Sequence, residues 1–158
     1  MLPALLIAAS ILAGCGGSGA GEQAQTLNGR GFQFDAPAGW QVRRSVRMVS
    51  ASRNGNLVQV ATFSLLKPYT PDLFDRVEKE LRARMRQVAS QTGGTVSGSA
   101  TVTAGGIRSH SYDVTVDNHV DEYTFVLRGR REYQLLCRRT KSTGADACGQ
   151  LVRTFEPA

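Results

Sequence analysis

The stretch TPDLFDRVEKELRARMRQVASQTGG, residues 70–94, decides the fold because it is one amphipathic helix set between β-rich segments. Its apolar residues recur every three or four positions, so they share one face of the helix. They are Leu73, Val77, Leu81, Met85 and Val88. Thr70 and Pro71 suit the N-cap and the first helical position, and Gly93 with Gly94 ends the run. The sequence therefore predicts a long helix with one buried and one solvated face.

Upstream of the helix, the sequence predicts a β-hairpin. Residues 46–52 and 57–65 are rich in β-formers, and Asn54-Gly55 between them supplies the positive φ angles of a tight turn. The second run carries apolar residues on both faces, which predicts a central strand in a sheet covered on both sides. Trp40 follows a Pro-Ala-Gly turn and is expected to anchor the core.

Downstream of the helix, four further β-rich runs predict an antiparallel meander. The runs are residues 95–103, 107–117, 122–128 and 132–137, with turns at Gly105-Gly106, around Asn118 and at Arg128-Gly129-Arg130. Asp146 is expected to cap a short closing helix that turns Leu151, Val152 and Phe155 to the core. The predicted fold class is α+β: an antiparallel sheet of about six strands between the long helix and the C-terminal helix. One domain is expected over residues 30–158.

The N-terminus predicts export and a lipid anchor. Residues 2–13 are apolar but number 12, whereas a bilayer-spanning helix needs roughly 20, so residues 1–14 are interpreted as a signal peptide. Leu12-Ala13-Gly14-Cys15 looks like the bacterial lipobox, in which the Cys15 thiol accepts diacylglycerol. Residues 15–29 begin with a glycine-rich run and are interpreted as the lipidated cysteine and a flexible tether. The expected location is the cell membrane, facing outside the cytoplasm.

Two further cysteines predict one structural disulfide. Cys137 and Cys148 make the number that closes a single bridge in an oxidising compartment, and this bridge would join a strand to the closing helix. The alternative is a metal site in which both thiolates act with His110 and His119. Neither Cys-x-x-Cys nor His-x-x-x-His spacing supports that alternative, and no metal is expected.

Positive charge accumulates late in the chain. The formal net charge is +6 and residues 1–14 contribute none of it. The candidate anion- or partner-binding residues are Arg128, Arg130, Arg131, Arg138 and Arg139, followed by Lys141. Arginine suits phosphate and carboxylate groups, so an anionic lipid, a wall polymer or an envelope protein is the expected partner, and nucleic acid is not. A solvated basic edge is the alternative interpretation.

The sequence lacks the usual enzymatic motifs. It contains no Gly-x-Ser-x-Gly elbow, no His-Glu-x-x-His, no phosphate-binding loop and no dinucleotide fingerprint. No enzyme activity, catalytic residue or cofactor is therefore expected, although a hydrolytic Ser, His and acid cluster assembled in space stays a third possibility. The leading hypothesis is a non-catalytic binding or scaffold lipoprotein. The alternative is a small-ligand or lipid carrier with a pocket between sheet and long helix, near Trp40, Phe63 and Tyr112.

The order of elements also carries a family resemblance. Its marks are Phe34, Pro37, Gly39 and Trp40 near the start, with residues 133–137 and 151–155 at the end. In these and in its order of hairpin, helix, meander and closing helix, the chain resembles the PsbP-like superfamily, particularly the LpqN-type lipoproteins of mycobacteria, over about residues 32–155. The resemblance implies an antiparallel sheet between helices and a role as an extrinsic subunit or binding module. It implies no shared catalytic set.

Overall fold

The computed structural model describes residues 23–158; the predicted signal peptide, Cys15 and the first part of the predicted tether lie outside this part of the chain. The strands are β1 (Ala24–Gly29), β2 (Phe32–Pro37), β3 (Gln41–Arg44), β4 (Met48–Arg53), β5 (Asn56–Tyr69), β6 (Thr95–Ala104), β7 (Ile107–Val116), β8 (His119–Thr140) and β9 (Glu156–Pro157). The helices are α1 (Phe74–Thr92) and α2 (Asp146–Thr154), and a 3-10 turn, Pro71–Leu73, precedes α1.

Two antiparallel sheets form the framework. The large sheet has six strands in the order β3-β4-β5-β8-β7-β6, and the small sheet has the order β1-β2-β9. The predicted α+β class, with an antiparallel sheet of about six strands between a long and a C-terminal helix, is confirmed. The small sheet is a finding that the sequence analysis did not predict.

The domain begins before residue 30. Residues 24–29, which the sequence analysis placed in the tether, form β1 and pair along the whole of β2. Leu27 is buried in the core opposite Phe34. The segment has one large apolar side chain, so its strand character comes from pairing with β2 rather than from its own pattern.

Helix α1 covers one face of the large sheet. Leu81, Met85 and Ala89 pack on Tyr112 and Phe125, which lie on β7 and β8. The helix ends at Gly93, as predicted, but it begins at Phe74 because residues 71–73 form a 3-10 turn instead. The Thr70 side chain makes no capping hydrogen bond.

Neither helix within residues 23–158 has both the length and the apolar character that crossing a bilayer requires.

The opposite face of the large sheet packs against the small sheet and α2. This second core joins Phe34 of β2, Tyr133 and Leu135 of β8, and Leu151 and Phe155. Both cores are built from residues between positions 27 and 155, so we expect residues 23–158 to fold as one unit.

A disulfide joins the second core to its covering helix. Cys137 of β8 and Cys148 of α2 are bonded, with their Cα atoms 5.3 Å apart. The predicted bridge is confirmed. The alternative metal site, which needed both thiolates, is wrong because each sulfur is bonded to the other.

Strand β8 spans residues 119–140 and folds back on itself at Gly129. Residues 119–125 pair with β7 and residues 131–138 pair with β5. The two arms lie side by side, because Arg138 contacts Asp121 and the backbone N–H of Lys141 donates to the carbonyl of Asn118 at 3.0 Å. One extended strand would instead place Asp121 and Arg138 roughly 56 Å apart, at about 3.3 Å per residue. The predicted turn at Arg128-Gly129-Arg130 is therefore confirmed, with Gly129 at a φ of 54°.

Candidate functional site

The five candidate arginines of β8 do not form one patch. The second arm of β8 rises about 3.3 Å per residue, so Arg130 and Arg139 lie roughly 30 Å apart along it. Arg128, Arg130 and Arg131 are exposed at the turn of the β8 hairpin, whereas Arg138 and Arg139 are half-buried near its open end. Lys141 follows β8 and is exposed.

Arg138 is matched by a buried carboxylate. Its Nε and Nη2 donate to the two carboxylate oxygens of Asp121 at 2.7 and 2.8 Å. This hydrogen bonding raises the pKa of Arg138. His119 Nε2 lies 3.7 Å from the same carboxylate. Arg138 therefore joins the two arms of the β8 hairpin, which leaves it little capacity for a separate anion.

Arg139 also faces acidic side chains. Asp113 of β7 and Glu122 of β8 are opposite one another in the ladder. Burial, and then the neighbouring Asp113, raise the pKa of Glu122, while Arg139 acts in the opposite direction. Arg139 thus offsets part of the repulsion between two carboxylates.

Arg131 belongs to a different basic cluster, which the sequence analysis missed. We call this cluster the arginine end; it consists of Arg30, Arg44, Arg47 and Arg131. Arg30 lies in the β1–β2 turn, Arg44 ends β3, Arg47 precedes β4 and Arg131 lies in β8. Arg44 donates to the carbonyl of Asn28, and Arg131 Nη1 donates to the carbonyl of Arg30 at 3.4 Å.

Strand register brings these four side chains together. Arg44 pairs with Val49, and the backbone N–H of Thr62 donates to the carbonyl of Arg47 at 2.9 Å. Gly31, at φ 84°, lets the Arg131 guanidinium lie against the β1–β2 turn, where a Cβ atom would clash with it. No local spacing in the sequence signals this convergence, because it depends on pairing between four separate segments.

The arginine end carries unmatched positive charge. All four side chains are exposed, and none forms an ion pair with a carboxylate of residues 23–158. A depression of about 280 Å³ lies among Arg30, Arg47 and Arg131, and the other residues that line it carry no charge. This arrangement suits an anionic group.

Apolar side chains flank the same surface. Val46 is 75% exposed and Phe63 42% exposed, and both line the depression. Leu66, 95% exposed, lies two residues beyond Ser64, in the part of β5 where the register shifts. Arg130 Nη2 donates to the carbonyl of Leu66 at 2.8 Å and so fixes that bulge.

A separate cleft lies where α1 begins. Its volume is about 550 Å³, and its lining includes Tyr69, Ile107, Arg108, Leu127 and Arg128. A second pocket of about 410 Å³ lies between β5 and α1 and shares Tyr69 and Leu127 with the cleft. Apolar side chains thus lie beside two exposed arginines.

A stack of rings and a guanidinium fixes this end of α1. The buried Phe74 ring lies between Arg108, whose Cζ is 3.8 Å from the ring centroid, and the His110 ring, also centred 3.8 Å away. His110 Nε2 donates to the carbonyl of Phe74 at 3.0 Å. This hydrogen bond and the stack hold the buried His110 ring against the start of α1.

The predicted pocket near Trp40, Phe63 and Tyr112 is wrong in its position. Trp40 packs on the second core, Tyr112 is buried in the α1 core, and Phe63 is at the surface. The three side chains are separated because the large sheet stands between the two cores.

Comparison with known proteins defines the fold. The chain matches solved structures at low identity, including cyanobacterial PsbP (CyanoP) from Synechocystis sp. PCC 6803. That match has a TM-score of 0.63 and 14% identity, and covers 93% of this chain and 99% of that one. A protein from Bacteroides thetaiotaomicron VPI-5482 matches with a TM-score of 0.59 and 11% identity over 81% of this chain; the chain spans 45% of its length. No protein-family model and no curated protein matches the sequence. The chain has a PsbP-like fold.

Proposed function

We propose that this chain is a non-catalytic binding or scaffold lipoprotein of the LpqN type, anchored through Cys15 at the outer face of the cell membrane. Its arginine end is the contact surface for an anionic envelope partner. The observation that carries this proposal is the convergence of Arg30, Arg44, Arg47 and Arg131 without a carboxylate partner in residues 23–158. Like charges held together repel one another, and a bound anion relieves that repulsion.

An envelope-binding assay tests the surface. The protein is residues 16–158, exported so that the disulfide forms, and the test variant carries Arg30, Arg47 and Arg131 replaced by glutamine. The matched control carries Arg53, Arg86 and Arg153 replaced by glutamine; these are exposed, lie outside the arginine end and change the net charge equally. We expect washed bacterial envelopes to retain the wild type and the control and to lose the test variant as salt rises. Equal retention of the two variants contradicts the proposal.

Mass spectrometry tests the anchor. The full chain, produced in a bacterium that processes lipoproteins, is expected to begin at Cys15 and to carry diacylglycerol on that residue. Cys15→Ser should remove the lipid and prevent this processing. A mature chain that starts elsewhere, or an unmodified Cys15, contradicts the lipoprotein assignment.

The cleft supports a second candidate function, a carrier for a small ligand or lipid. Its volume of about 550 Å³ lies in the range of ligand pockets, and apolar Leu127 and Ile107 lie beside Arg108 and Arg128. Native mass spectrometry of gently purified residues 16–158 should then show a reproducible added mass. Ile107→Trp, which fills the cleft, should abolish that added mass. Wild-type protein that is always free of ligand favours the envelope-contact function.

A further inference from the structure

Two kinds of side chain coincide at one end of the large sheet. The depression at the arginine end is lined by Val46 and Phe63 as well as by three of the four arginines. Leu66 follows Phe63 by three residues in β5 and is exposed, as is the neighbouring Lys67. The surface is thus positively charged and has apolar side chains at its exposed points.

The backbone presents Leu66 in a defined position. Ser64 pairs with Arg131 and Tyr69 pairs with Gly129, so the four intervening residues of β5 stand opposite a single residue of β8. Arg130 secures this excursion through the carbonyl of Leu66, which leaves the Leu66 side chain 95% exposed. The bulge therefore presents the Leu66 side chain to solvent.

A soluble polyanion needs only the charges, and it gains nothing from Val46 or Leu66. A phospholipid surface offers anionic phosphates for the guanidinium groups and, just below them, acyl chains for projecting apolar side chains. The arginine end combines guanidinium groups with exposed aliphatic side chains. It therefore matches a bilayer surface, in which phosphates lie above acyl chains.

We propose that the arginine end docks on an anionic phospholipid bilayer, with Arg30, Arg44, Arg47 and Arg131 on the lipid phosphates and Val46 and Leu66 inserted among the headgroups. This inference rests on the proposed function and names its partner. Docking at this surface orients the domain on the membrane, with the open end of the β8 hairpin away from the bilayer.

Vesicle flotation tests the docking. Residues 16–158 are mixed with vesicles of phosphatidylcholine alone or with about a third phosphatidylglycerol, because the protein without its lipid binds only through its own surface. We expect the wild type to float with the anionic vesicles and to stay behind with the neutral ones. The Arg30, Arg47 and Arg131 variant should partition about a hundredfold more weakly, at about fivefold per arginine, whereas the Arg53, Arg86 and Arg153 control changes little.

A second variant separates lipid from a soluble polyanion. Val46→Ser with Leu66→Ser changes exposed side chains, keeps the net charge and should weaken flotation about tenfold. Its retention on immobilised polyphosphate should match that of the wild type. Unchanged flotation of this variant overturns the insertion of apolar side chains and with it the bilayer as partner.

The remaining outcomes distinguish the two proposals. If the wild type fails to float with anionic vesicles but binds washed envelopes through the arginines, the bilayer inference is wrong and the envelope-binding function stands. If the arginine variant behaves like its control in both assays, both proposals are wrong. Circular dichroism of each variant confirms that the comparison is between folded proteins.

Discussion

Opening the Cys137–Cys148 bridge should lower the free energy of unfolding by about 3 kcal/mol. The two cysteines are 11 positions apart, so the bridge closes a loop of about a dozen residues. For such a loop, the chain-entropy model gives a loss of about 9 to 10 cal/mol/K in the unfolded state, or about 3 kcal/mol at room temperature. The bridged side chains are 3% and 2% exposed, so replacing both residues by alanine also removes buried volume and should cost somewhat more than reduction.

Equilibrium urea denaturation of residues 16–158, with and without reductant, measures the effect of the bridge alone. The double alanine variant under both conditions is the control, because reductant should not change its stability. Hydrogen exchange of α2 should accelerate before that of α1, since the bridge attaches α2 to β8. A difference under about 1 kcal/mol between oxidised and reduced wild type refutes the loop-entropy reasoning.

Three side chains give further predictions. Phe74→Ala should lower the free energy of unfolding by about 3 kcal/mol in urea denaturation, because the ring is 6% exposed and joins α1 to β7; a loss below about 1 kcal/mol contradicts the described stack. Asp121→Asn should lower the free energy of unfolding by about 2 kcal/mol, since Asp121 is buried and accepts both hydrogen bonds from the partly exposed Arg138. A double-mutant cycle with Arg138→Gln should show that the two effects are coupled, and independent effects contradict the pair. Glu122→Gln should raise Tm at neutral pH. Burial and Asp113 raise the pKa of Glu122 above its ordinary 4.5, so the folded state binds a proton more readily and stability falls as pH rises from 4.5 through the raised pKa. Tm across that pH range should depend less on pH in Glu122→Gln than in the wild type. Parallel curves of Tm against pH for the two proteins contradict the raised pKa of Glu122.

Local patterns in the sequence predicted the elements that depend on local physics. The apolar stripe that includes Leu81 and Met85 indicated α1, and both side chains are buried in its core. The count of cysteines indicated the bridge between Cys137 and Cys148, which needs no knowledge of register. The start of α1 differed because Thr70-Pro71 opens a 3-10 turn first, and such turns share the signals of α-helix starts.

Features that depend on strand pairing were not predictable in the same way. The turn at Gly129 was predictable, because a glycine between two β-rich runs marks it locally. By contrast, β1 carries little pattern of its own and is a strand because β2 lies beside it.

The arginines show the same limit at the candidate site. Arg131 and Arg139 are close in sequence but are separated along an extended strand. Arg30 and Arg131 are far apart in sequence, yet Arg131 donates to the carbonyl of Arg30. Clustering along the chain therefore indicated only one of the four residues of the arginine end, Arg131.

The hairpin of β8 makes the domain a cooperative unit. Phe125 of its first arm belongs to the core under α1, and Leu135 of its second arm belongs to the core under α2, so the two cores share one pair of adjacent strands. Neither core can open fully without disturbing backbone pairs that the other needs, so the two layers should melt in a single transition. A substitution that weakens the core on one face of the sheet should therefore also lower the stability of the core on the other face.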